Sequence, residues 1–316
     1  MLFQNCNVFI FRHRKIFIIV TSLLLLAGIL YYSNISKSPV RYSIQLQKSD
    51  DDNFVNATPI NRAVFKTDFN QDFIRFNGRS TFPILCNSCA LVSSAGTMLD
   101  SKAGIEIDSH DCVLRMNNAP TATFEEDVGS KTTYRIFAHS SVVDVKNYAR
   151  ITPEEVANAL FLVWGPKKNL EPGKITNRHL KDIVKQNPDI NLHVLSQNRV
   201  EDADNRFEME TGKNRMKSGA YLSTGWFSIL FAKDICKQIH IYGMVEDDYC
   251  EKQLVKLFKD VPYHYYKKGT NQCSTYRTHE YARAGAHRFL TEKRVYKKWA
   301  KSWKNIFFHH PEWDLK

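Results

Sequence analysis

CALVSSAGTMLDSKAGIEIDSHDCVLRMNNAPT, Cys89 to Thr121, decides the fold. CALVS has the β-rich, apolar character of a strand, and SSAG after it, Ser93 to Gly96, reads as a turn of small residues. A second strand, CVLRM from Cys112, ends on Arg115, Asn117 and Asn118 at or just beyond its carboxyl end. Four similar runs follow: TYRIFA at Thr133, ALFLVWG at Ala159, INLHVLS at Ile190 and IHIYGM at Ile239. Several are separated by segments long enough for crossover helices, which predicts an α/β fold with a mostly parallel central sheet flanked by helices. Ligands bind such sheets outside the carboxyl ends of their strands, so polar groups at the end of CVLRM fall where a ligand site belongs.

The chain has 316 residues and a formal net charge of +11, spread along its length. That charge suits either a well-solvated basic surface or attraction to an anionic partner. Residues 1–15 include the basic cluster Arg12, His13, Arg14 and Lys15, and residues 16–32, IFIIVTSLLLLAGILYY, carry no charge. Seventeen residues of helix reach roughly 25 Å, enough for a thin bilayer. Tyr31-Tyr32 replaces the small-residue cleavage site of a signal peptide. We expect an uncleaved anchor with residues 1–15 cytosolic and the rest lumenal, a type II topology that removes nucleic acid as a partner. Residues 33–80 read as a stem, with sequons at Asn34 and Asn56, and residues 81–316 as one catalytic domain.

Cys6 falls in the cytosolic tail, which leaves Cys86, Cys89, Cys112, Cys236, Cys250 and Cys273 in a compartment that permits disulfides. A zinc site at Cys86-x-x-Cys89 lacks a second close pair. Spacing alone leaves the pairing open.

Three further segments carry chemistry. In YLSTGWFSILFAKDICKQIHIYGM, Tyr221 to Met244, Ser223, Thr224 and Gly225 open a helix packed on the sheet. Ser and Thr there serve as N-caps, and the same helix end attracts a phosphate or carboxylate. YHYYKKG holds His264 and Tyr265, and HEYARAGAHRFLTEK holds His287 and Glu292. A lone histidine is more often structural than catalytic. We place His287 at the start of a helix running through Trp299, where the dipole favours the neutral ring that a general base requires. Glu292 is five positions on, off that helical face, and takes a structural or orienting role.

Together, and in this order, the four segments resemble the eukaryotic sialyltransferase family. The Cys89–Thr121 stretch resembles its large sialylmotif, SGAYLSTGWFSILFAKDICKQIHIYGM its small one, YHYY its third and HRFLTE its very small one. VWGP, NNAPT, EEDVG and VPYHYY look most like the branch that adds sialic acid α2,6 to N-acetylgalactosamine. The resemblance covers about Cys86 to the C-terminus and implies a Rossmann-like catalytic domain of the GT-A variant type, with CMP-sialic acid as donor.

It also implies roles. Asn117, Ser94 and Ser93 contact the donor nucleotide, Ser223, Thr224 and Gly225 contact CMP and the sialyl carboxylate, His264 faces the donor phosphate, and His287 is the base. Tyr265 and Glu292 support them. Cys89 with Cys236 is the bridge joining the two larger motifs, Cys250 with Cys273 is the second we expect, and Cys86 and Cys112 stay unassigned. No cofactor or metal is expected, and Glu246-Asp247-Asp248 is read as a solvated loop. The expected partners are sialylated Gal-GalNAc acceptors on glycoproteins or glycolipids, and the expected location is the Golgi membrane. The competing readings are an anchored sialoglycan-binding protein without turnover, and a sialyltransferase with a galactose acceptor.

Overall fold

The computed structural model describes residues 72–76, 85–146, 151–252 and 261–315, all within one compact unit, Val64–Lys316. Among these residues no helix is long and apolar enough to cross a membrane. The apolar run at 16–32 and the sequons at Asn34 and Asn56 lie outside the described residues.

Eight strands form one sheet: β1 (Phe73–Arg75), β2 (Cys86–Val92), β3 (Cys112–Met116), β4 (Tyr134–Ala138), β5 (Leu160–Trp164), β6 (Asn191–Leu195), β7 (Cys236–Tyr242) and, after a β8 (Pro262–His264) and β9 (Lys267–Asn271) hairpin, β10 (Ile306–His309). Their order is β1-β6-β5-β4-β3-β2-β7-β10, and every pairing except β1 with β6 is parallel. The mixed α/β architecture with a mostly parallel sheet is as the strand pattern predicts. All six anticipated strands form. CVLRM and LFLVW are buried along their whole length because helices cover both faces of a parallel sheet.

Three elements fall outside the sequence reading. β1 lies inside the segment taken as stem, so the sheet begins before residue 81. β10 adds a parallel strand beside β7, and the β8–β9 hairpin carries His264. All three are short runs with little periodicity, and only their partners make them strands.

Five described helices have nine or more residues: α1 (Ile175–Gln186), α2 (Gln197–Thr211), α3 (Thr224–Ile235), α4 (Gln272–Glu280) and α5 (Phe289–Trp303). α3 is the central one. It packs on β2, β3, β4 and β7, and Trp226, Phe227, Ile229, Phe231, Ala232 and Ile235 are all buried. From β2 the chain winds outward through β6 and returns to lay β7 on the other side of β2. The strand order therefore reverses between β2 and β7, the kind of switch point at which α/β sheets bind their ligands.

Three disulfides form: Cys86–Cys112, Cys89–Cys236 and Cys250–Cys273. The first assigns the two cysteines the sequence left open. Sheet register sets Cys89 beside Cys112 and Cys86 beside Cys236, yet both bridges run diagonally. The sulfurs of Cys86, Cys89 and Cys112 gather within 4.8 Å, but all three are oxidised and hold no zinc as thiolates.

His193 on β6 is 1% exposed, and neither ring nitrogen has a hydrogen-bond partner. Burial, reinforced by the Arg75 charge on β1, pushes it down to about 4. The unfolded chain therefore takes up this proton first, and stability is lost as pH falls from about 6.5 toward 4. The loss reaches about 3 kcal/mol. Denaturant midpoints at pH 7 and pH 4.5 should diverge in the wild type and diverge less in His193→Leu, where His240 and other lowered imidazoles still titrate.

Candidate active site

At the carboxyl end of β2 the chain turns through Ser93, Ser94, Ala95 and Gly96. The Ser93 amide donates to the Tyr242 carbonyl at 3.0 Å, tying this turn to the end of β7, while the Ser93 hydroxyl accepts from the Ala95 amide at 3.3 Å. Gly96 is needed for close approach: a Cβ there would lie 2.1 Å from the Pro262 carbonyl oxygen. Without that Cβ, β8 settles on the turn, the Tyr265 amide donates to Ser94 O at 3.1 Å, and His264 Nδ1 stands 2.9 Å from Ser94 Oγ. The small residues thus serve backbone contact between two distant segments, and one result is the Ser94–His264 polar pair. Tyr265 is buried and donates to Pro120 O at 2.6 Å, bracing the loop that follows β3.

That loop begins at Asn117, which has a φ of 49°. Its Oδ1 accepts from the Ala138 amide at 3.0 Å, and its Nδ2 lies 3.5 Å from Thr224 Oγ1. Arg135, fully buried on β4 and paired with Glu155, donates to the carbonyls of Asn117 at 2.8 Å and Ala119 at 2.9 Å. A buried ion pair therefore holds the unusual backbone in place. Arg115 turns elsewhere, to Lys131 O at 2.8 Å and Thr132 Oγ1 at 3.1 Å, with Asp108 4.0 Å away; burial lowers its guanidinium to about 10. Arg115 is thus spent on partners inside the protein.

Ser223 caps α3: its hydroxyl accepts from the Trp226 amide at 3.1 Å and donates to Glu292. Glu292 Oε1 also accepts from the Ser223 amide at 2.8 Å, and Tyr296 donates to the carboxylate at 3.0 Å. The Ser223 hydroxyl is thereby committed inside the protein, which leaves Thr224 and Gly225 as the members of this turn nearest Asn117 and Met116. Burial lifts the Glu292 carboxyl to about 7 despite these three donors. Glu292 therefore joins α5 to the start of α3 and has no hydrogen bond to His287.

His287 lies two residues before α5, which starts at Phe289 and runs to Trp303, past the Trp299 expected. The Glu280 carboxylate already meets the helix end, accepting from the Leu290 amide at 2.9 Å, the Thr291 amide at 3.2 Å and Thr291 Oγ1 at 2.5 Å. Burial is the main cause that holds the His287 ring below its ordinary value, with neighbouring His279 adding to it. His287 Nδ1 donates to Tyr221 O at 3.0 Å, so the neutral ring keeps its lone pair on Nε2.

One expectation about the acidic run is corrected. Glu246 is buried and accepts from Lys252 and Lys297, each at 3.1 Å, and from the Asp314 amide at 2.5 Å, while Asp247 pairs with Arg294 at 3.1 Å. Glu246 anchors the C-terminal segment from inside the protein, so the run is not simply a solvated loop. Glu280, Arg135 and Glu155 escaped the sequence reading altogether. A cap ten residues upstream of its amide fits no local capping pattern, and an ion pair across two elements has no spacing signal.

The profile of glycosyltransferase family 29 (sialyltransferase) matches residues 42–304. Alpha-N-acetylgalactosaminide alpha-2,6-sialyltransferase 3 of Mus musculus is 41% identical over 245 residues, covering 77% of this chain and 79% of that protein. Alpha-N-acetylgalactosaminide alpha-2,6-sialyltransferase 6 of Homo sapiens is 37% identical over 309 residues, covering 96% and 88%. Alpha-N-acetyl-neuraminyl-2,3-beta-galactosyl-1,3-N-acetyl-galactosaminide alpha-2,6-sialyltransferase of Mus musculus is 42% identical over 254 residues, covering 77% and 69%. Among solved structures, a mammalian sialyltransferase in complex with Gal-beta-1-3GalNAc-ortho-nitrophenol matches with a TM-score of 0.46 and 24% identity, over 71% of this chain and 69% of that one. With the profile spanning most of the chain and relatives of this identity along nearly all of it, the protein belongs to glycosyltransferase family 29, the sialyltransferases.

Proposed function

We propose that this sialyltransferase moves sialic acid from CMP-sialic acid to the 6-hydroxyl of N-acetylgalactosamine in Gal-GalNAc glycans, by one inverting displacement and without a metal ion. The observation that carries the mechanism is the His287 ring, which is bonded through Nδ1 to Tyr221 O and keeps a basic Nε2. The acceptor's 6-hydroxyl gives its proton to Nε2 as its oxygen bonds to the anomeric carbon, and the bond from that carbon to the CMP phosphate breaks. Negative charge grows on the departing phosphate. His264 and the Ser94 hydroxyl, 2.9 Å apart, are the polar groups we assign to it, and Asn117, Thr224 and Gly225 to the rest of CMP and the sialyl carboxylate. A monophosphate donor needs no cation to bridge two phosphates, and the buried Glu246 is already paired with two lysines. The names of the relatives support an N-acetylgalactosamine acceptor, and one of those names describes an acceptor already α2,3-sialylated. The topology we propose is a Golgi type II anchor with this domain in the lumen.

The test is CMP release by the full-length chain in detergent, with EDTA throughout. The acceptors are galactosyl-GalNAc with and without α2,3-sialic acid, and lactose. We expect release stimulated by a GalNAc-containing acceptor and linkage to its 6-position. Stimulation by lactose alone would replace this acceptor with galactose, and loss of activity restored by a divalent cation would overturn the metal-free mechanism.

A further inference from the structure

His279 sits in the last turn of α4, eight residues before His287. The chain between them doubles back. Arg288 donates to the carbonyls of His279 and Ala282, each at 2.8 Å, and the Gly285 amide, at a residue with φ of 73°, donates to Gly219 O at 2.8 Å. This return lays the two imidazoles parallel, 5.6 Å between centroids and 9° between planes, with Phe289 5.1 Å from each.

The His287 amide donates to His279 Nδ1 at 3.4 Å. An accepting Nδ1 carries no proton, so this contact requires a neutral His279 protonated on Nε2. His287 holds the opposite tautomer, because its Nδ1 donates to Tyr221 O. The backbone reinforces the arrangement, since the Tyr221 amide donates to Ala286 O at 3.0 Å and Tyr221 bridges His287 as a short parallel pair. A proton arriving at His279 Nδ1 would cancel the contact to the His287 backbone and set a cation against the His287 ring.

We propose that His279 is a positioning residue for the base: by accepting the His287 amide it holds that ring on Tyr221, and a proton on either imidazole stops transfer. The inference rests on the reading of His287 as the base. The surroundings favour two neutral rings. Burial lowers His279, and the Arg288 guanidinium pinned to its carbonyl adds to this. Around His287 the facing groups are the carbonyls of Tyr221 and Leu222, which favour the charged ring, and His279, which opposes it. Glu280, adjacent in sequence, is turned away to the amides of α5, and among the described residues no carboxylate pairs with either imidazole.

The experiment measures kcat and donor KM against pH for the full-length wild type, His279→Asn, His279→Phe and His287→Ala. Asparagine offers an amide oxygen near the position of Nδ1 and cannot titrate; phenylalanine keeps a ring and accepts nothing. The wild-type acid limb should fall with the first proton taken up by the pair, and His279→Asn should keep most of the plateau rate while its limb moves to lower pH, since only His287 is left to titrate. His279→Phe should lose at least about 10-fold in kcat with donor KM unchanged, as expected when a reacting group is misplaced. Wild-type kcat and pH profile in His279→Phe would overturn the proposal, and so would a His279→Asn variant as impaired as His279→Phe. An active His287→Ala would instead remove the base reading on which it rests; an inactive one beside an unchanged His279→Phe would sink this inference alone.

Discussion

Replacing His287 with alanine lowers kcat by about 10²- to 10⁴-fold while the KM for CMP-sialic acid stays near the wild-type value. The asymmetry follows from position. His287 is fixed through Tyr221 O and the stack on His279, away from the Asn117–Thr224 contact that we assign to the donor. Its imidazole is below its ordinary value chiefly through burial, so the basic form persists on the acid side of about 6.5 and the wild-type acid limb lies below that pH. The loss in His287→Ala should therefore be greatest on the wild-type plateau and shrink as the wild type itself is protonated. Steady-state CMP release from pH 5 to 8 measures both. A variant with wild-type kcat would remove His287 from the chemistry.

Replacing Glu292 with alanine destabilises the fold by about 3–5 kcal/mol, because it strands three buried donors at once. These are the Ser223 amide at 2.8 Å, the Ser223 hydroxyl, and Tyr296 at 3.0 Å, in a site where Glu292 is 1% exposed. In a domain of this size that is a fall in Tm on the order of 10 °C. Function suffers by a different route than in His287→Ala. Without its bond to Glu292 the start of α3 loosens, and donor KM should rise through Thr224, which we assign to the donor. Glu292→Gln retains one acceptor oxygen and should recover at least half the lost stability. Thermal unfolding with and without CMP reads the effect, and an alanine variant as stable as wild type would show that Ser223 needs no partner from α5.

The sheet was legible because parallel strands buried on both faces must be continuous apolar runs, and CVLRM and LFLVW are such runs. The small-residue turn at Ser93–Gly96 and the Ser223–Gly225 helix start were legible because each is a short contiguous pattern, whereas His287 was singled out through the family resemblance of HRFLTE. Their meaning was less so. Ser223 is a cap whose hydroxyl is taken by Glu292, and Gly96 is required by a carbonyl 166 residues away at Pro262. Nothing within either segment reveals that partner.

By itself, then, the sequence determined the α/β class and the strands at the centre of the sheet, since those depend on hydrophobic periodicity and local composition. Only tertiary structure decided that Phe73–Arg75 and Ile306–His309 are strands, that Cys86 bonds Cys112 across the register, that Glu246 is buried, and that His279 faces His287. Each of these is a contact between segments far apart in the chain or separated by a reversing loop. Its energy comes from burial and hydrogen bonding that exist only once the chain has closed around it.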